Sequence, residues 1–76
     1  MSRIFLLTAE HVVDAIKKAV AEHLPDLEPV AVFNKAEFDA AIADVKPDDF
    51  LLSFCTNVIV PGWVIETLGE RALNIH

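Results

Sequence analysis

The chain has 76 residues, 54% of them hydrophobic, which suits one small domain over residues 1–76 and argues against a disordered segment. Twelve acidic residues against six lysines and arginines leave a net charge of −6, so a broad phosphate-binding surface is not expected, and a single cysteine cannot close an internal disulfide. No run approaches 18 uncharged apolar residues and the opening apolar run is too short for a signal segment, so no membrane partner is expected and a reducing, cytoplasmic setting is the expectation.

Ile4-Phe5-Leu6-Leu7 is a continuous apolar run of strand length, the signature of a strand covered on both faces. Val12, Ile16, Ala19, Val20 and Leu24 then recur at helical spacing, with Glu10, Asp14, Lys17, Lys18 and Glu22 on the other side. Thr8 is expected to cap this helix and Pro25 to end it. Asp14 and Lys18 are spaced for an i,i+4 ion pair.

Val30-Ala31-Val32-Phe33 reads as a second strand. Asn34 followed by Glu37 is a variant of the capping box, and Phe38, Ala41, Ile42 and Val45 form the apolar face of a second helix that Pro47 stops. The acidic stretch from Asp44 to Asp49 reads as a solvated loop. Phe50-Leu51-Leu52-Ser53-Phe54 is a third strand, left through a loop at Cys55-Thr56-Asn57. Pro61 fits the first turn of a short helix with Trp63, Val64 and Leu68 inward, and Gly69 suits its end. Ala72-Leu73-Asn74-Ile75 is a fourth strand.

The order β-α-β-α-β-α-β implies an α/β, three-layer, Rossmann-like fold with a parallel sheet. A ferredoxin-like arrangement needs an antiparallel hairpin, and no Asn-Gly or Asp-Gly turn is present. In open α/β sheets, ligands bind beyond the carboxyl ends of the strands, where strand order reverses. Neither glycine lies near the first strand, so a glycine cradle for phosphates is absent. Three scattered histidines and one cysteine supply no metal-ligand spacing, and His11 and His23 read as surface residues of the first helix region. Cys55 has no identifiable base partner and reads as an inert thiol. At the last strand, Asn74 and His76 stand two apart, so they share a face. An amide donor beside an imidazole can hold a developing oxyanion and move a proton, although by spacing alone the pair better suits a polar strand end facing solvent.

The segments Leu52-Ser-Phe-Cys-Thr-Asn-Val-Ile-Val-Pro61 and Ala72-Leu-Asn-Ile-His76 together resemble the formyltransferase domain family, specifically its N-terminal half. This family includes the 10-formyltetrahydrofolate-dependent methionyl-tRNA and glycinamide ribonucleotide formyltransferases. The resemblance implies that Asn74 holds the formyl oxygen and that His76 assists proton transfer from the attacking amine. It implies that Cys55, Thr56, Asn57, Val58 and Ile59 receive the pterin of 10-formyltetrahydrofolate. The amine acceptor is left open among a tRNA-bound amino group, a purine precursor and an amino sugar; the negative charge disfavours nucleic acid other than such a tRNA. The family's catalytic aspartate and its Pro-Gly-containing loop have no counterpart in the sequence, so the chain is expected to carry part of an active site and to pair with a complementary chain or a second copy. The alternative is a small non-catalytic α/β binding or assembly module.

Overall fold

Strands and helices alternate along the whole chain in the computed structural model, which describes residues 2–54 and 58–75, Asn74 and Ile75 by backbone alone. The elements are β1 (Arg3–Thr8), α1 (Glu10–His23), β2 (Glu28–Val32), α2 (Lys35–Ile42), β3 (Phe50–Phe54), α3 (Gly62–Leu68), a 3-10 turn (Gly69–Arg71) and β4 (Ala72–Ile75). The strands form one sheet in the order β2-β1-β3-β4, every neighbouring pair parallel, so the antiparallel rival is excluded.

The centre of the sheet explains the opening apolar run. Phe5 and Leu7 face one side, packed with Val32, Leu51, Phe38 and Ile42 of α2, and Val64 and Leu68 of α3. Ile4 and Leu6 face the other side, packed with Ile16 and Val20 of α1. A strand between two layers has no solvent face, hence continuous rather than alternating apolarity. At the sheet's edge, β2 carries Pro29 opposite Ile4, a position that tolerates the missing N–H. The other edge is β4.

Helix boundaries follow local chemistry, with corrections. Thr8 does not cap α1: it belongs to β1, in register with Phe54, and Ala9 occupies the cap position without a side-chain hydrogen bond. The inward stripe of α1 keeps Ile16 and Val20 of the expected face and adds the buried Val13; Ala19 is exposed, and so is Leu24, which lies past the end of the helix at His23. No Asp14–Lys18 bond forms among the described residues, whereas Lys35 Nζ meets Asp39 Oδ2 at 2.7 Å in α2. Asn34 caps α2 as expected, its Oδ1 accepting from the Glu37 N–H at 2.9 Å, while the Glu37 carboxylate accepts from the Phe33 N–H. Pro61 is the cap of α3 rather than part of its first turn, because its ψ of 147° is still extended. Gly69 ends α3 with φ of 58°, a conformation that other residues adopt only with strain.

The acidic stretch is not a solvated loop throughout. Asp49 is 2% exposed and accepts hydrogen bonds from the Arg3 N–H at 3.1 Å, the Lys46 N–H at 3.0 Å and Arg3 Nη2 at 2.9 Å. Arg3 also reaches the Asp44 carboxylate and carbonyl, at 3.2 and 3.1 Å, and its guanidinium lies over the Phe5 ring. Burial pushes the Asp49 carboxyl up, but the hydrogen bonds from Lys46 and Arg3 outweigh it and hold the group below its ordinary value. The network joins the amino ends of β1 and β3, opposite to the edge where ligands bind in such sheets.

Candidate functional site

The strand order fixes where a site can lie. β1 sends its connection outward to β2, whereas the next connection crosses back to β3, so strand order reverses between β1 and β3 at their carboxyl ends. Thr8 and Phe54 close that crevice in register. One strand further, Ser53 and Phe54 pair with Asn74 and Ile75, so β3 and β4 finish side by side. The carboxyl ends of β3 and β4, about twenty positions apart in the sequence, therefore lie side by side.

The sequence-based site residues fall unevenly on this edge. Asn74 is at the carboxyl half of β4, opposite the buried Ser53. Val58 is half-buried and packs, with Val60, on the core that α2 and α3 cover. Ile59 between them is 87% exposed. Thus Val58 and Val60 anchor the connection and Ile59 offers an apolar side chain to solvent. The expectations for Cys55, Thr56, Asn57 and His76 lie outside the described residues. Trp63 is 51% exposed and not in the core: Val64 and Leu68 take the inward positions of a helix too short to bury a second face. His11 and His23 are exposed, as expected of surface histidines. Among the described residues no group of three or more His, Cys, Asp or Glu side chains is placed to hold a metal ion.

Two features at the start of α1 escaped the sequence reading. The Thr8 hydroxyl is buried, 1% exposed, and makes no hydrogen bond among the described residues. A buried hydroxyl without a partner costs about 1–3 kcal/mol. The first turn of α1 has no side-chain cap, although the Val12 N–H bonds to the Ala9 carbonyl at 3.2 Å. Among the described residues the Thr8 hydroxyl is therefore left unused at the point of strand reversal. A threonine that ends a buried strand is the one available signal, and it reads equally well as a helix cap.

No family model matches the chain. Neither a curated protein nor a solved structure matches it. No helix among the described residues is long and apolar enough to cross a membrane.

Proposed function

We propose that the chain is part of a Rossmann-like formyltransferase domain, transferring the formyl group of 10-formyltetrahydrofolate to a primary amine. The observation that carries this reading is the pairing of β3 with β4 in register from Leu51↔Ala72 to Phe54↔Ile75. It brings the described strand parts of the two segments on which the resemblance rests, 52–54 and 72–75, side by side, next to the reversal between β1 and β3. A parallel α/β sheet with this order is the scaffold on which such a site is built.

In the proposed reaction the amine lone pair attacks the formyl carbon, and the carbonyl oxygen takes up the negative charge. The amide of Asn74 donates a hydrogen bond to that oxyanion. His76 takes the proton that the amine nitrogen loses on forming the new C–N bond. Collapse of the intermediate breaks the bond to the folate nitrogen, which leaves protonated as tetrahydrofolate, and the amine becomes a formamide. Cys55, Thr56 and Asn57, with Val58 and Ile59, would border the pterin, Ile59 contributing the apolar contact for which its exposure fits it. The single cysteine suits the reducing cytoplasm in which folate cosubstrates are used.

The unpaired edge of β4 supports the further expectation of a complementary chain or second copy. Leu73 on that strand is 56% exposed, and edge N–H and C=O groups are templates for another strand. The deciding experiment is a titration of the chain with a reduced-folate analogue, followed by amide NMR. Perturbed signals at 58–60 and 72–75 are expected; saturating analogue without any shift there would sink the formyl-transfer reading.

A further inference from the structure

The apolar side chains of β1 are buried on both faces, but those of β3 on one only. Leu51 and Ser53, on the side of α2 and α3, are buried; Phe50, Leu52 and Phe54, on the side of α1, are half-buried. Leu73 extends that face onto β4: it pairs with Leu52, alternates with the inward-packed Ala72, and is 56% exposed. The cause is the reach of α1, which lies over β1 and β2. Val12, Ile16 and Ala19 form one stripe along α1, and a right-handed crossover from β1 to β2 turns it toward β3. Ile16 there packs on the same cluster as Phe50 and Leu52, while Ala19 is left exposed. Arg71 stands at the amino end of the face, its guanidinium 5.9 Å from the centre of the Phe50 ring. It makes no ion pair among the described residues.

The result is a shallow groove with an apolar floor on β3 and β4 and an apolar wall on α1. Its dimensions are those of one helix. Two strand spacings, about 9.6 Å, separate the line between β1 and β2 from that between β3 and β4, and packed helix axes stand about 8–10 Å apart. From Phe50 to Phe54 the floor runs about 13 Å, the length of about nine helical residues. A second copy has no helix to offer: α1 keeps its apolar side on Ile4 and Leu6, α2 and α3 theirs on Phe5 and Leu7, and the copy would bring a further net charge of −6. Charge also orients the occupant, since the carbonyl end of a helix is negative and Arg71 waits at one end of the groove. We propose that the β3–β4 face beside α1 binds an amphipathic α-helix of a partner, antiparallel to the strands, with its carboxyl end at Arg71. This goes beyond the formyl-transfer reading and does not depend on it.

The probe is a synthetic peptide of about 14 residues, its leucines at helical spacing among alanine, lysine and glutamate, beside a scrambled peptide of the same composition. In amide NMR titrations of the chain, the amphipathic peptide is expected to shift Phe50, Leu52, Phe54, Arg71 and Leu73, and the scrambled peptide is not. Leu73→Lys should weaken binding about tenfold or more, as for one lost leucine contact. Arg71→Gln should weaken it about two- to fivefold, the reach of a charge at a helix end. Ile65→Lys changes a comparably exposed side chain on α3, across the sheet, and should leave binding unchanged. All three positions are at the surface, so unchanged melting temperatures separate a lost contact from a lost fold. No shift with the peptide, equal shifts with the scrambled one, or shifts confined to α3 would overturn the proposal. Shifts at Phe50, Leu52 and Phe54 on raising the chain concentration alone would overturn it too, by giving this face to a second copy. Loss of folate binding would leave it standing, because the peptide titration reads this face alone.

Discussion

Replacing Asp49 by alanine tests how the sheet is tied together at its amino edge. The carboxylate is 2% exposed and takes three hydrogen bonds, from the backbone N–H of Arg3 and Lys46 and from the Arg3 guanidinium. Alanine would strand two backbone donors and remove the buried half of an ion pair, a change that costs about 3–5 kcal/mol. The low end applies, because Arg3 keeps its 3.2 Å contact with the exposed Asp44 carboxylate. A chain of this size has a folding free energy of only about 4–11 kcal/mol. A loss of about 3 kcal/mol would lower the urea midpoint by about 3 M at an m-value near 1 kcal/mol/M. The melting temperature would fall by roughly 12–24 °C. Asp49→Asn keeps an acceptor oxygen and should lose less. The pH dependence has a definite sign: the folded carboxyl is held below its ordinary value, so its stabilisation is complete above the unfolded pKa of about 4 and fades as pH falls through the lower folded value. Asp49→Asn should flatten that acid limb. An alanine variant within about 1 kcal/mol of the parent would refute the network's role.

Other outcomes are equally concrete. Asn34→Ala removes the cap of α2 and should cost about 1 kcal/mol, read from chemical denaturation. In an assay of formyl transfer from 10-formyltetrahydrofolate to an amine, run on the chain with whatever complement it requires, Asn74→Ala should lower turnover about 100-fold or more, as for loss of an oxyanion donor. Cys55→Ser should change that rate little, since the proposed steps use no thiol. Leu73→Lys puts a charge on the exposed face of β4 and should weaken association of chains in sedimentation velocity without lowering the melting temperature.

Much of the architecture was legible because each element carries its own punctuation. The apolar runs at Ile4–Leu7 and Phe50–Phe54 mark strands; Asn34 with Glu37 and Gly69 mark helix ends. Three readings failed for physical reasons. Thr8 suits both a strand end and a cap, and the pairing with β3 that decides between them is a long-range contact. Asp49 resembles its exposed neighbours Asp44 and Asp48; only the approach of Arg3, 46 positions away, makes its burial tolerable. Trp63 has the composition of a core residue, yet α3 offers the interior just Val64 and Leu68. Within the candidate site, Asn74 and His76 were singled out by the family resemblance, whereas the orphan hydroxyl of Thr8 had no separate trace in the sequence.

The two rims of the sheet differ in what they permit. Pro29 lacks an N–H and Glu28 beside it is a charged, exposed side chain, so the β2 rim is a poor template for another strand. The β4 rim has no such blunting at Leu73. Open-ended polymerisation needs two adhesive rims, one for each direction of growth. With one such rim, the pairing proposed above would close at two members and would not lengthen into a fibre.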